Sequence, residues 1–292
     1  SRRYGTIFTF FSLNRAYLIV TEPGIIRRVL TDITTYPKGS DYTSQFASVF
    51  GEGLVTSNGE KHKKDTNIFK KYFHKMNVGK YCSKVNQTML DLMKEDLTSS
   101  VGTPTNIEHF FAILALRVFT SFSCNHKMTR EQEEHIAIVV SRGSNAVGQF
   151  LVLNMPIKPW LPGAWKALMV PNAVFSVMLP VVEARRKAMA SGEITDDQLD
   201  DCLTAMVREQ MSDKDIQDHM MTLICAGHDT TAFFSAYMCI LLAENPEFQD
   251  KLRAEVLATF AGREEIEVED IYGMHNLQNF MKETLRLYSI IP

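Results

Sequence analysis

One acid and two hydroxyls interrupt an apolar stretch at Ala226-Gly227-His228-Asp229-Thr230-Thr231. From Met220 to Ala243 the residues around them are nearly all apolar, among them Met221, Leu223, Ile224, Ala232, Phe233, Phe234 and Tyr237. In a helix interior glycine costs about 1 kcal/mol against alanine, and a buried aspartate must be desolvated. A helix that only filled a core would gain nothing from either. Gly227 permits close approach to the helix wall, Thr230 can hold a water by a hydrogen bond, and Asp229 can supply protons through solvent. The structural alternative is a bend in which threonine hydroxyls bond back to carbonyls one turn earlier, with Asp229 paired elsewhere.

A second candidate lies about 54 residues on, at Lys282-Glu283-Thr284-Leu285-Arg286-Leu287-Tyr288. Glu283 and Arg286 share a helix face, and in isolation such a pair reads as an ordinary surface ion pair. Basic residues also gather at Gly59-Glu60-Lys61-His62-Lys63-Lys64. The five cysteines, Cys82, Cys124, Cys202, Cys225 and Cys239, are scattered, with no C-x-x-C pair and no zinc-finger spacing. They read as reduced thiols packed as small apolar side chains. Gly51-Glu52-Gly53 lacks the third glycine of a dinucleotide loop, and the sequon Asn86-Gln87-Thr88 falls in a helical pattern.

The apolar stretch needs an element to hold it. Ser212-Asp213-Lys214-Asp215 resembles a capping box, and the next strong breaker is Pro246. Together they predict one helix of about 33 residues, roughly 50 Å long, with no face left for water. A transmembrane reading fares worse, because the apolar tracts flanking His-Asp each fall short of the roughly 18 residues of a span. Ahead of it, Ile7 to Val20 predicts a hairpin turning at Leu13-Asn14-Arg15, and a short helix starts near Ile25. Asn77–Ser99 predicts an amphipathic helix, Asn106–Phe122 one buried all round, and Glu131–Leu153 another amphipathic one. Asn154–Pro171, with four prolines and two tryptophans, predicts an apolar loop without regular helix, packed or membrane-facing. Ala173–Ser191 predicts a helix ending near Gly192, and Asp196–Gln210 an acid-rich surface helix.

With 292 residues and 45 % hydrophobic content the chain can bury a sizeable core. A charged fraction of 22 % and a net charge of −3 give no basic surface for nucleic acid. The first residues show neither initiator Met, charged leader nor long apolar segment, and both ends look cut.

Ala226-Gly227-x-Asp229-Thr230-Thr231 resembles the central-helix signature of the cytochromes P-450, Ala/Gly-Gly-x-Asp/Glu-Thr-Thr/Ser, at every constrained position. Lys282-Glu283-Thr284-Leu285-Arg286 resembles the family's K-helix motif, Tyr4-Gly5 with Ile7-Phe8 its opening strands, and Gly59-Glu60-Lys61-His62 with Phe73-His74 its C-helix segment. The resemblance implies a mainly α fold with a small β region, ending here after the K helix. Residues 1–292 would form a single partial domain, with a β-rich start at 1–35 and a helical body over 36–292. It further implies a haem b cofactor, an oxygen-binding groove at Ala226 and Gly227, and proton relay by Asp229 and Thr230. Glu283 and Arg286 would be a structural pair buried behind the haem.

The C-helix segment departs from the family pattern, with His62 and Thr66 where Trp and Arg are usual. The haem-propionate candidates are therefore His62, Lys63 and Lys64. The family's ligand loop, Phe-x-x-Gly-x-x-x-Cys-x-Gly, does not occur in the 292 residues, so no metal ligand is expected in this chain, nor thiolate-bound haem in it alone. For the full-length protein the resemblance implies a monooxygenase inserting one oxygen atom of dioxygen into an apolar organic or lipid substrate. An NADPH-dependent reductase would supply electrons, and an N-terminal anchor would hold the protein on the cytosolic face of the endoplasmic reticulum membrane. Two alternatives stay open: a non-catalytic helical scaffold that keeps the fold without haem, and a haem-thiolate isomerase or dehydratase.

Overall fold

A computed structural model describes residues 3–12, 15–74, 79, 81–98, 101–152, 155–194, 201–263 and 265–290. It is mainly α with a small β region, as expected. The hairpin pairs β1 (Ile7–Ser12) with β2 (Arg15–Val20) antiparallel, in register from Ile7 opposite Val20 to Ser12 opposite Arg15. Aromatic and β-branched residues suit the pleat, and Phe10 stacks on Tyr17 with centroids 5.2 Å apart. Leu13 and Asn14 of the expected turn lie outside the described residues. Pro23 sits in the first turn of α1 (Pro23–Thr31), where its missing N–H has no intrahelical role.

Two short helices follow, α2 (Ser40–Phe50) and α3 (Gly59–Phe69). The amphipathic α4 (Cys82–Leu92) runs on into a π-helical turn at Met93–Leu97, and the expected start at Asn77 falls outside the described residues. Beyond it come α5 (Ile107–Cys124), α6 (Arg130–Val152), α7 (Ala164–Leu168), α8 (Val170–Ala190) and α9 (Cys202–Arg208). The central helix α10 (Asp213–Glu244) leads to α11 (Pro246–Phe260), α12 (Val268–Gly273) and α13 (His275–Leu287).

α10 begins as its capping residues predict, with Ser212 Oγ accepting the Asp215 N–H at 3.1 Å. Its 32 residues lie chiefly along α5 and are flanked by α8, α11 and α13. Ile216, Met220, Met221 and Ile224 interlock there with Leu116, Val174, Met178 and Leu203 in the main core. Fully burying one such side chain stabilises by about 1.5–3 kcal/mol, so this contact fixes the helix along its first half.

Four expectations are corrected. α10 is not water-free along its whole length: Ile216 and Asp218–Cys225 are buried, whereas Ala226 and Thr231 are exposed. α5 is not buried all round: Phe110, Ile113, Leu116, Thr120 and Cys124 are enclosed, whereas Glu108 is exposed and most other positions are half-buried. The proline-rich stretch does hold helix, because α7 fits between its prolines and Pro171 occupies the first turn of α8. Trp160 and Trp165 stay exposed. Finally, the acid-rich segment yields a buried helix, not a surface one: Cys202–Met206 are all enclosed. The reason is Asp201, which caps α9 by accepting the Thr204 N–H at 2.7 Å and takes both its oxygens to Arg185 Nη1 at 2.8 and 2.9 Å. Arg185 Nη2 also donates to the Cys124 carbonyl at 2.8 Å, tying α8, α9 and α5 together. Residues 196–200 of that segment lie outside the described residues.

By length and hydropathy, Ile107–Cys124 and Ala164–Ala190 could each cross a membrane. The first is the helix packed along α10.

Candidate functional site

The polar residues of the central helix sit where its burial ends. Asp229, 15 % exposed, is held from two sides. One carboxylate oxygen lies 2.7 Å from His228 Nδ1, and the other accepts a short hydrogen bond from Ser144 on α6. Thr230 Oγ1 donates to the Ala226 carbonyl at 2.5 Å, one turn back. Both features of the structural alternative are thus present, the threonine back-bond and a paired aspartate. Neither uses up the chemistry: the Thr230 oxygen keeps lone pairs with which to accept from a water, and a carboxylate has about four acceptor sites.

Gly227 has a packing reason of its own. A Cβ there would stand 2.4 Å from the Phe119 ring of α5, closer than side chains tolerate. The glycine lets the two helices approach at the point where the acid must be presented. Sequence reasoning found the glycine but not Phe119, since nothing in the spacing of α5 marks that ring. Ser144 likewise carried no signal. His228 was in view as the unconstrained position of the motif, and its contact with Asp229 follows from adjacency.

A second polar cluster joins the first turns of α10 to α3. Lys61 Nζ lies 3.3 Å from Asp215 and 3.4 Å from Asp65. Burial pulls the Lys61 ammonium down, but the two carboxylates outweigh it and raise it overall. His219 lies 3.4 Å from Asp65 and against the Phe69 ring, and burial lowers its affinity for a proton. Asp218 accepts the Glu52 N–H at 3.0 Å. The loop can come that close because Gly51 and Gly53 have no Cβ, which would otherwise strike Asp218 and Thr222. That is the work of the two glycines set aside as a dinucleotide loop.

Lys61, Asp65 and Phe69 follow an i, i+4 stripe and face α10. Lys63 and Lys64 point away and are exposed, and Lys64 lines a surface pocket with Tyr72 and Arg208. His62 is half-buried, its proton affinity lowered by burial and by Lys38. The Glu283–Arg286 pair forms with two bonds, Nε to Oε2 at 2.7 Å and Nη2 to Oε1 at 2.6 Å. Within the described residues it is exposed, with α13 turning Phe280 and Thr284 inward and this pair outward.

A haem would need a close wall, an axial sulfur and cations for its propionates. The exposed Ala226, with the Thr230 hydroxyl bonded to its carbonyl, supplies a wall a flat ring can approach. Burial pushes the Cys124 thiol up to about 12 and, with Asp229 nearby, the Cys225 thiol well above its ordinary value. Burial also raises Cys82 and Cys239. A metal ligand needs the thiolate. No group of three or more His, Cys, Asp and Glu among the described residues could hold a metal ion. Of these three needs, the described residues offer the wall, at the middle of α10.

Comparison with known proteins bears on the fold. The sequence matches the family described as Cytochrome P-450 over residues 1–292. It is 22 % identical to cytochrome P-450 monooxygenase 91 of Postia placenta, over 98 % of this chain and 60 % of that protein. It is 24 % identical to cyclooctatin synthase of Streptomyces melanosporofaciens, over 94 % of this chain and 60 % of that protein. Against human cytochrome P-450 4F2 the identity is 26 %, over 94 % of this chain and 57 % of the relative. The chain thus spans somewhat over half the length of these relatives. The crystal structure of a cytochrome P-450 (CYP102L1) superposes with a TM-score of 0.71 at 19 % identity, covering 98 % of this chain and 67 % of that one.

Proposed function

From a chain that belongs to the cytochrome P-450 family, we propose that the whole protein is a haem-dependent monooxygenase acting on an apolar organic or lipid substrate. The haem, when bound, supplies the site at which dioxygen is activated. Electrons come from an NADPH-dependent reductase, and the protein works on the cytosolic face of the endoplasmic reticulum membrane. Residues 1–292 form one partial domain of that enzyme.

The observation that carries this reading is the arrangement at the middle of α10. Thr230 offers acceptor lone pairs to a water while its own proton is committed to Ala226. Asp229, fixed by His228 and Ser144, lies one residue away to exchange protons with that water. Gly227 keeps the wall thin against Phe119, and the Ala226–Gly227 surface is the oxygen groove. A scaffold without haem is the second reading, favoured by the outward Lys63 and Lys64 and by Thr66 in the C-helix segment.

The test is the full-length protein, reduced under carbon monoxide and supplied with reductase and dioxygen. A thiolate-haem spectrum with one oxygen atom from labelled dioxygen in the product supports the monooxygenase. Absence of bound haem supports the scaffold.

A further inference from the structure

His228 is 1 % exposed, and its Nε2 is buried without a hydrogen-bond partner, while Nδ1 lies 2.7 Å from Asp229. An ionised carboxylate only accepts, so the geometry places the ring proton on Nδ1 and leaves Nε2 bare. Leaving such a buried polar atom unpaired costs about 1–3 kcal/mol. On the far side Ser144 Oγ donates to the second oxygen of Asp229 from a different helix.

We propose that His228 and Ser144 form a two-sided clamp that holds the Asp229 carboxyl group in one orientation, aimed for proton exchange. The clamp rests on the monooxygenase reading of Asp229 and deepens it. His228 is a positioning residue: it acts through Asp229. The clamp spans two elements, so it fixes both the rotation of the carboxyl group and the spacing of α6 from α10. A pocket of about 250 Å³ borders it, lined by Glu108, His109, Ser141, Arg142, His228 and Asp229. Room for several waters at about 30 Å³ each puts solvent beside the acid. The groups that share this electrostatic setting are Cys225 on α10, Glu108 and His109 on α5, and Arg142 on α6.

Two measurements on the full-length protein test the clamp. In histidine-labelled protein, nitrogen NMR should find His228 neutral with its proton on Nδ1, a readout independent of turnover. A proton on Nε2 overturns the proposal. In coupling assays, His228→Leu and Ser144→Ala should each lower the product formed per dioxygen, because a carboxyl group that loses a donor loses its fixed orientation. His228→Asn, whose amide can stand in for Nδ1–H, should restore the coupling. His228→Leu should lower the product formed per dioxygen by about tenfold, below the usual 10²–10⁴ of a lost acid or base because the acid itself remains. Thr230→Ala separates the two claims. If it uncouples turnover and His228→Leu leaves coupling unchanged, the clamp is wrong and the monooxygenase reading stands. If the protein never oxygenates substrate, that reading fails and the tautomer alone decides the clamp.

Discussion

α10 carries two buried histidines about two and a half turns apart, and they are held in opposite ways. His219 sits against Phe69 with Asp65 3.4 Å away across the helix interface, and neither ring nitrogen makes a hydrogen bond. His228 bonds at 2.7 Å to the carboxylate beside it, which Ser144 grips from α6. The first is a polar group enclosed by packing, and what it couples to is stability. The second spends its one good bond on orienting an acid at the edge of the core. One helix thus divides into a half that assembles the fold and a half whose polar residues lie at the edge of the core.

That division can be broken most severely at the acid. Asp229→Asn should cut product formation about 100-fold, as loss of a general acid or base does, with little change in melting temperature. Full turnover in the variant would remove the chemistry from the second half. Next in size, Gly227→Ala should destabilise by about 1–3 kcal/mol through overpacking against Phe119, although alanine is the better helix former. Pairing it with Phe119→Ala should recover part of the loss in denaturant unfolding, since contacting sites are not additive. Unchanged stability for Gly227→Ala would show that the helices do not meet there.

The first half should respond to acid instead. Burial holds the folded-state affinity of His219 for a proton below the ordinary value, so on acidification the unfolded chain takes up that proton first. Stability is therefore complete above about pH 6.5 and falls as the pH drops below it toward the folded-state value. His219→Gln should flatten that limb in melting curves taken from pH 7.5 to 5. A limb of undiminished slope would assign the acid sensitivity elsewhere. The smallest effect belongs to the exposed pair on α13. In the 292-residue chain Glu283→Gln should leave the melting temperature unchanged, as exposed ion pairs contribute little, and a drop of many degrees would contradict its surface placement.

The course of α10 was legible in the sequence because Ser212 and Pro246 bound an apolar run too long for anything else. The hairpin was legible from its aromatic and β-branched strands. What burial each helix would have was not: the acids before Cys202 suggested a surface helix, yet Asp201 is the cap that Arg185 buries. Partners across helices were equally silent. Ser144 and Phe119 complete the site, but only tertiary packing sets them beside Asp229 and Gly227. The cations fared likewise: the basic run at 61–64 was visible, while the helical phase that turns Lys61 inward and Lys63 outward depends on where α10 lies.

The decisive measurement is the yield of oxygenated product per dioxygen consumed by full-length protein carrying Thr230→Ala. If the middle of α10 delivers protons, the hydroxyl is indispensable to an ordered water, and the yield should fall about tenfold while dioxygen consumption continues. A yield equal to that of the unaltered protein would show that the hydroxyl serves only to bend the helix.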